Sequence, residues 1–371
     1  MQKKGLPVMI GLFFLVLALF AFGPRSAAAA GASWEQEWAS WLAKAKKEGK
    51  ITIYTTAGSD VRQALQNGFS KKYGIEIETV SGRGGELTQK IETERRAGLF
   101  IADVYMGGPT TMLNVLKPAG VLERIEPLLI LPEVTQRHAW VGGKLPFLDK
   151  DGSLVGVRFS PQTYLTVNTA LVKEGEIKSL KNLLEPQWKG KIAMQDPMVE
   201  GIAQEILAMV GERVMDWNYV EKLAKQEPAI LRDDRLLGEW VARGKYPLGF
   251  GLKIDVIKEL AKAGAPLSFP VLEEGTHVSP GAGCFSLLEK SPHPFAKRIF
   301  VNWLLSKEGI TTYSKASMTG SARLDVPTDH LPESEIRKPS VKYAVADGAF
   351  YLTKPEFEKK LKGIFGGAKT K

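Results

Sequence analysis

The alternation of strand-like and helix-like segments constrains the fold of this chain more than any single motif. Short apolar runs that have the character of strands are separated by segments with apolar residues at helical spacing. Strands are predicted at 51–55, 75–80 and 103–105, and helices from Asp60, at 86–97 and at 109–116. Strands that alternate with helices form largely parallel sheets covered by helices on both faces. The sequence therefore predicts an α/β protein.

A second group of elements follows in the middle of the chain. Residues 191–194 are apolar like a strand that stops at Asp196, and the segment 200–210 has helical spacing. Another strand around 247–250 also leads into a helix. The first backbone N–H groups of a helix lack partners within the helix and can hold an anion. Each of these strand ends is therefore expected to face a loop that is suited to anion binding.

Several motifs occur in a fixed order after residue 45. They are Lys50-Ile51-Thr52-Ile53-Tyr54, the pattern over 69–80, Gly84-Gly85-Glu86-Leu87, Ala102-Asp103-Val104-Tyr105, the segment 184–197, Ser291-Pro292-His293-Pro294 and the segment 303–309. In this order they resemble bacterial extracellular solute-binding proteins, in the branch with ferric-ion, aminoethylphosphonate, thiamine and polyamine binders. These are type 2 periplasmic binding proteins of ABC importers. The resemblance implies two lobes, each a mostly parallel sheet flanked by helices, with a ligand cleft between them.

The domain organisation follows from two predicted crossings between the lobes, at 155–161 and 266–271. We expect a signal peptide at 1–30, lobe 1 at 31–158 and 268–371, and lobe 2 at 159–267. Two crossings make a hinge, and ligands of open α/β sheets bind at the carboxyl ends of the strands. The expected protein is a monomeric receptor that closes around one solute and passes it to an inner-membrane ABC permease.

The N-terminal segment is typical of an exported protein. Lys3 and Lys4 precede an apolar run over 6–22, and the small residues at 26–30 suit cleavage by signal peptidase. The sequence therefore predicts a periplasmic protein. A retained anchor, and with it a membrane-anchored sensor, is the alternative, because the run approaches the length of a membrane span. The sole cysteine, Cys284, lies far from this run, so no lipoprotein anchor is expected there.

Composition and motif content argue against several other classes of protein. Cys284 has no partner for an internal disulfide, and its apolar surroundings predict a buried strand position. The net charge is +9, but basic residues are scattered among acidic ones, so no nucleic-acid partner is expected. A positive field favours anionic solutes.

Motifs of hydrolases, zinc peptidases, phosphate loops and dinucleotide folds are absent from the sequence, so we predict no enzyme, catalytic residue or cofactor. An enzyme on the same fold is the remaining alternative.

Candidate ligand-binding residues occur in the lobe 1 loops at the predicted cleft. They are Thr56, Gly58, Ser59, Arg83, Gly84 and Gly107. Ser59 opens a predicted helix, and Arg83 lies in a glycine-rich loop where its guanidinium can bind two acceptor oxygens. Arg83 is expected to be the main charge partner of the ligand. The alternatives are helix capping for Ser59, a solvated surface position for Arg83 and a tight turn at Gly107.

The hinge and lobe 2 supply further candidates. They are Arg158, Ser160, Asp196, Gly201 and Lys253. Arg158 lies among apolar residues and needs a partner if it is buried, either the ligand or a structural carboxylate. Lys253 opens a predicted helix and either faces an anion or is solvated, while Asp196 is alternatively a turn and capping residue.

Ferric iron is not the expected ligand. Members of the resembling family bind it through a tyrosine pair, assisted by a histidine and a carboxylate. The tyrosine pair aligns here with Leu252 and Lys253, the histidine with Gly58, and the carboxylate with Gly107. None of these can ligate in the same way, so no metal site is predicted. The expected ligand is a small organic anion, a carboxylate, phosphonate or sulfonate, with ferric ion, polyamine or thiamine as the alternatives.

Overall fold

The computed structural model describes residues 1–2, 28–199 and 201–367, so most of the predicted leader lies outside the described residues. The helices are α1 (Ala28–Glu48), α2 (Ser59–Tyr73), α3 (Gly84–Arg96), α4 (Pro109–Thr111), α5 (Pro132–Thr135), α6 (Ile202–Met209), α7 (Trp217–Ala224), α8 (Asp234–Ala242), α9 (Ile254–Lys262), α10 (Pro294–Leu305), α11 (Lys307–Ser317), α12 (Gly348–Leu352) and α13 (Lys354–Phe365). The strands are β1 (Lys50–Thr55), β2 (Glu76–Ser81), β3 (Val104–Gly107), β4 (Leu122–Glu123), β5 (Val155–Gly156), β6 (Ser160–Gln162), β7 (Leu165–Asn168), β8 (Ile192–Gln195), β9 (Ala229–Leu231), β10 (Leu248–Phe250), β11 (Leu267–Ser268), β12 (Thr276–Ser279), β13 (Cys284–Leu288) and β14 (Tyr343–Val345).

Short helical turns complete the secondary structure. Two π-helical turns, Met112–Leu116 and Val210–Val214, continue α4 and α6. Single 3₁₀ turns lie at Glu126–Leu128, Arg137–Ala139, Val141–Gly143, Leu180–Leu184, Pro186–Trp188 and Glu333–Glu335. The predicted helix at 109–116 is therefore α-helical only over its first turn. In the described part of the chain, no helix is both long enough and apolar enough to cross a membrane.

The first main sheet combines parallel and antiparallel strands. Its order is β2-β1-β3-β13-β4, and β5 also pairs with β13. Strand β1 is parallel to β2 and β3, whereas β13 is antiparallel to β3, β4 and β5. The three predicted strands of this region are thus the parallel part. Cys284 opens β13 and is fully buried, as predicted.

The second main sheet has the order β11-β7-β10-β8-β9. Strand β8 is parallel to β9 and β10, while β7 is antiparallel to β10 and β11. The predicted strands at 191–194 and 247–250 are the parallel neighbours β8 and β10. Their carboxyl ends consequently open toward the same edge of the sheet.

A small third sheet lies where the chain passes between the main sheets. Strand β6 pairs with β12 in antiparallel register, with Ser160 opposite Ser279 and Gln162 opposite His277, and β14 runs parallel to β12. The chain leaves the first sheet through β5, β6 and β7 and returns through β11, β12 and β13. Both connections between the main sheets thus run through one paired element. The exact lobe boundaries stay a prediction.

Helix periodicity accounts for the core beside the first sheet. Val61, Leu65, Phe69 and Tyr73 recur every four residues on α2, and all four side chains are buried. Phe69 packs against Trp303 of α10, with ring centroids 5.4 Å apart. Fully burying side chains of this size stabilises the fold by about 1.5 to 3 kcal/mol each.

The C-terminal helices contact elements beside both main sheets. Helix α12 packs against α4, and α13 packs against α6 and α7. Lys360 of α13 forms an ion pair with Glu212, with Nζ and Oε1 2.8 Å apart. This segment therefore connects the helices of the first sheet with those of the second.

Candidate functional site

A cavity of about 720 Å³ opens where the loops after β1, β8 and β10 meet the small third sheet. Its lining combines the β1–α2 loop, the starts of α6 and α9, the paired strands β6 and β12, and the end of α11. Volumes of this order suit a small ligand. The cavity lies at the carboxyl ends of parallel strands from both main sheets, where ligands of open α/β sheets bind.

Three helices begin at this cavity. Ser59 opens α2, Ile202 opens α6 and Ile254 opens α9, and no side chain of the N-cap residues caps any of them. At α6 the amide oxygen of Gln195 accepts a hydrogen bond of 3.1 Å from the Ala203 N–H. Uncapped helix starts carry partial positive charge from free N–H groups. The cavity is therefore favourable for negative charge on the sides formed by α2 and α9.

Arg158 lies in the connection between β5 and β6 and lines the cavity. Its Nη2 donates a hydrogen bond of 2.9 Å to the Ser160 hydroxyl, while its buried Nε has no partner among the described residues. Ser160 in turn donates to Glu335 Oε1 over 3.1 Å. No described carboxylate forms an ion pair with Arg158. The guanidinium therefore keeps hydrogen-bonding capacity for a ligand.

Two lysines add positive charge to the same cavity. Lys253 is the exposed N-cap residue of α9, and Lys258 is half-buried one turn further along. Neither forms an ion pair within the described ranges. Asp60 and Asp255 are exposed acids in the first turns of α2 and α9, where a carboxylate stabilises the helix start.

The opposite wall carries a partly buried pair of hydrogen-bonded side chains. Glu205 of α6 accepts a hydrogen bond from His277 of β12, with Nε2 and Oε1 2.8 Å apart, and the Tyr351 hydroxyl lies 3.3 Å from the same oxygen. Tyr351 also shares a hydrogen bond of 3.1 Å with Ser279. Burial raises the pKa of Glu205, but hydrogen bonding to His277 and the charge of its ring outweigh it and hold that pKa below the usual range. Glu205 is therefore held as a carboxylate.

The structure brings five of the predicted site residues together at the cavity and leaves six outside its lining. The lining contains Thr56, Gly58, Ser59, Arg158 and Lys253. Outside the lining are Arg83, Gly84, Gly107, Ser160, Asp196 and Gly201. Ser160 still contacts the site through Arg158, and Gly201 is the N-cap residue of α6.

Arg83 and Asp196 have surroundings that differ from those of the cavity residues. Arg83 is the exposed N-cap residue of α3, and its backbone N–H donates to Glu86 over 3.1 Å. Asp196 is buried, with Oδ2 2.9 Å from Arg232 Nε and Oδ1 accepting the Met198 N–H over 2.9 Å. Asp196 thus organises the turn after β8.

The predicted glycines allow close packing next to the cavity. A Cβ at Gly107 would lie 3.0 Å from the Tyr105 ring and 3.2 Å from the Thr56 methyl group. At Gly84 the nearest atoms to a Cβ would be the Thr111 methyl group at 3.2 Å and the Tyr105 hydroxyl at 3.3 Å. At Gly201 a Cβ would lie only 2.7 Å from Gln195 Oε1, so glycine lets α6 start against β8. These glycines shape the loops around the site.

Sequence reasoning missed the cavity residues of the small sheet and of the helix interiors. They are Gln162, Glu205, Lys258, His277, Ser279 and Glu335. One signal was present, because His277 and Ser279 alternate with apolar Val278 and therefore share one face of a strand. The distant Glu205 offered no comparable signal.

A family model described as "Bacterial extracellular solute-binding protein" matches residues 51–319, which is well over half of the chain. The chain belongs to this family. It is a solute-binding protein of the ABC import type, whose relatives are binding proteins that act outside the cytoplasm.

Two curated relatives illustrate the range of this family. An uncharacterized protein of Haemophilus influenzae is 26% identical over 273 residues, which cover 71% of this chain and 75% of the relative. The major ferric iron-binding protein of Neisseria gonorrhoeae is 26% identical over 161 residues, covering 43% of this chain and 45% of the relative. The match therefore spans less than half of the length of that iron-binding relative.

Solved structures show the same fold. FutA of Trichodesmium in complex with iron and citrate has a TM-score of 0.68 at 18% identity, covering 86% of this chain and 100% of that one. Iron-bound HitA from Pseudomonas aeruginosa has a TM-score of 0.60 at 19% identity, covering 85% and 99%. AfuA from Actinobacillus pleuropneumoniae with fructose-6-phosphate has a TM-score of 0.57 at 22% identity, covering 86% and 99%. The predicted two-lobed periplasmic binding fold is confirmed.

Proposed function

We propose that this solute-binding protein captures a small organic anion, a carboxylate, phosphonate or sulfonate, and delivers it to an inner-membrane ABC permease. The observation that carries the proposal is the cavity position of Arg158 without any carboxylate partner among the described residues. A partly buried cation loses hydration, and a bound anion compensates for that loss through charge-assisted hydrogen bonds. The uncapped starts of α2 and α9 and the two cavity lysines favour the same charge.

The proposed mode of action is closure of two lobes around the solute by a monomer. Lobe 1 comprises 31–158 and 268–371, and lobe 2 comprises 159–267. The paired strands β6 and β12 carry both connections between the main sheets and supply Gln162, His277 and Ser279 to the cavity. A ligand that contacts these strands and both sets of helix starts stabilises the closed state in proportion to its preference for that state.

Ferric ion is the second candidate, because similar folds in Trichodesmium and Pseudomonas aeruginosa are found with iron. The residues at this cavity fit it poorly. In the described part of the chain no group of three or more His, Cys, Asp or Glu side chains could hold a metal ion. Tyr313 lines the cavity, but burial raises the pKa of its hydroxyl to about 12 despite the nearby charge of Arg158. Tyr313 is also the one tyrosine among the described lining residues, whereas the resemblance implies a tyrosine pair for ferric ion.

A thermal-shift screen tests the class of ligand. The panel contains carboxylates, phosphonates, sulfonates, fructose-6-phosphate, ferric citrate, thiamine and spermidine. We expect at least one organic anion to raise the melting temperature in a concentration-dependent manner, because a ligand that binds only the folded state stabilises it by mass action. Stabilisation by ferric ion, thiamine or spermidine, without stabilisation by any organic anion, contradicts the proposal.

The role of Arg158 is tested with the best-binding anion of that panel. A charge-assisted contact contributes about 1.5 to 3 kcal/mol, so Arg158→Ala should weaken binding by about ten- to a hundredfold. Arg158→Lys should recover only part of this loss, because an ammonium lacks the planar fork. Arg83→Ala is the matched control, since Arg83 is exposed and outside the cavity lining, and it should keep the wild-type affinity. Calorimetric titration of all three variants decides, and wild-type affinity in Arg158→Ala contradicts the assignment.

A further inference from the structure

The cavity contains a basic and an acidic group that do not pair with each other. Arg158 lies between β5 and β6, while Glu205 lies on α6, and no ion pair joins them. Both groups line the same cavity and reach it from different elements.

Glu205 is more than a structural partner of His277. Its side chain is 32% exposed, whereas the His277 side chain is only 1% exposed. Oε1 accepts hydrogen bonds from His277 and Tyr351, and hydrogen bonding from Ser279 further lowers the pKa of the same carboxyl group. The nearby Ser279 hydroxyl is shared with Tyr351. The carboxylate is thus held in place by its neighbours, and its partly exposed oxygens keep accepting capacity at the cavity wall.

The other acids of the cavity do not offer the same arrangement. Glu335 is buried, and its two oxygens accept from Ser160 over 3.1 Å and from the Gly320 N–H over 3.3 Å. Asp60 and Asp255 are exposed residues at helix starts, where solvent screens them. Glu205 is therefore the cavity acid that is both anchored and only partly solvated.

An anchored carboxylate in an anion-binding cavity repels any ligand that carries only negative charge. The repulsion becomes attraction when the ligand also carries a hydrogen-bond donor at the right distance from its acid group. We propose that Glu205 is a specificity-determining residue that selects anions bearing an ammonium or hydroxyl group, with the acid group bound near Arg158. This inference rests on the proposed function, because it presupposes that the cavity binds an organic anion.

Three matched series of probes test the selection. They are propionate, 3-hydroxypropionate and 3-aminopropionate, then ethylphosphonate with its 2-hydroxy and 2-amino derivatives, then ethanesulfonate with its 2-hydroxy and 2-amino derivatives. Affinities are measured by calorimetric titration at pH 7. In at least one series the amino or hydroxy compound should bind about tenfold or more tightly than the unsubstituted acid, as a charge-assisted hydrogen bond provides.

Variants assign the preference to Glu205. Glu205→Gln should reduce the preference for the amino compound to about one while binding of the unsubstituted acid stays equal or becomes tighter, because the repelling charge is gone. Binding of the unsubstituted acid also reports that the variant is folded. Glu205→Asp keeps the charge but withdraws it by about one methylene, and it should show an intermediate preference. Asp255→Asn tests the other cavity acid, and Glu174→Gln, at an exposed residue outside the cavity lining, is the matched control that should leave the preference unchanged.

Each outcome separates this inference from the proposed function. Equal affinity for substituted and unsubstituted acids in every series overturns the role of Glu205 and leaves the proposed function standing. If the preference survives in Glu205→Gln but disappears in Asp255→Asn, the selecting group is Asp255 at the start of α9. This result also overturns the role of Glu205. If no acid of any series binds the wild-type protein, the proposed function itself fails.

Discussion

At the scale of single residues, Asp149 shows how one carboxylate organises the approach to the site. Its side chain is 2% exposed and pairs with Lys117, with Oδ2 and Nζ 2.7 Å apart. Oδ1 accepts the backbone N–H groups of Ser153 and Leu154 over 3.0 Å each. Burial raises the pKa of Asp149, but the hydrogen bonds and the charge of Lys117 outweigh it and lower that pKa. The loop that leads into β5, and so toward Arg158, is thereby held in place.

The lowered pKa of Asp149 predicts an acid-sensitive contribution to stability. Aspartate in an unfolded chain has a pKa of about 3.9. Because the pKa of Asp149 is lower in the folded protein, its ionised carboxylate stabilises the fold above about pH 3.9. This stabilisation is lost as pH falls through the folded-state pKa. Asp149→Asn should lower the free energy of unfolding at pH 7 by about 1 to 3 kcal/mol and flatten the loss of stability below about pH 4. Urea denaturation across that pH range measures both effects.

Asp151→Asn serves as the control for this prediction. Asp151 also pairs with Lys117 over 2.7 Å, but its side chain is 61% exposed. Solvent-exposed pairs contribute about 0 to 1 kcal/mol, so this variant should unfold much like the wild type at pH 7. Equal effects of the two substitutions would show that Asp149 stabilises only through its charge pair with Lys117 and not through the buried loop.

At the scale of elements, strand ends and helix starts were the most predictable features. The predicted strands at 51–55 and 75–80 differ by one residue from Lys50–Thr55 and Glu76–Ser81. The helix predicted from Asp60 begins at Ser59. Apolar spacing and glycine positions are local properties of the chain, so they indicate these elements without knowledge of the fold.

The small sheet of β6, β12 and β14 was not predicted, and the reason lies in its construction. Its strands are three or four residues long, and β6 contains Pro161. Short strands with a proline have little periodic signal, and their pairing joins segments more than a hundred residues apart. The cavity residues Gln162, His277 and Ser279 were therefore missed together.

At the scale of the whole molecule, the two connections through β6 and β12 predict closure on ligand binding. Small-angle scattering should show a smaller radius of gyration when the best-binding anion saturates the protein, because the cavity is lined by segments that follow strands of both main sheets. At a ligand concentration that just saturates the wild type, Arg158→Ala should stay closer to the apo value, because it binds about ten- to a hundredfold more weakly. A saturated wild-type protein without compaction contradicts hinge closure.

The sequence by itself determined the α/β alternation, the family resemblance and the loops where helices begin, because these depend on short-range spacing and on turn residues. It also indicated that Leu252, Lys253, Gly58 and Gly107 stand where iron ligands would be needed.

Only the tertiary structure decided which charges share the cavity. The sequence favoured Arg83 as the main charge partner, yet Arg83 is exposed outside the lining and Arg158 lies within it. Glu205 and His277 are 72 residues apart and meet only because α6 packs beside β12. Side-chain proximity across such distances depends on how the sheets pack together, which local spacing does not encode.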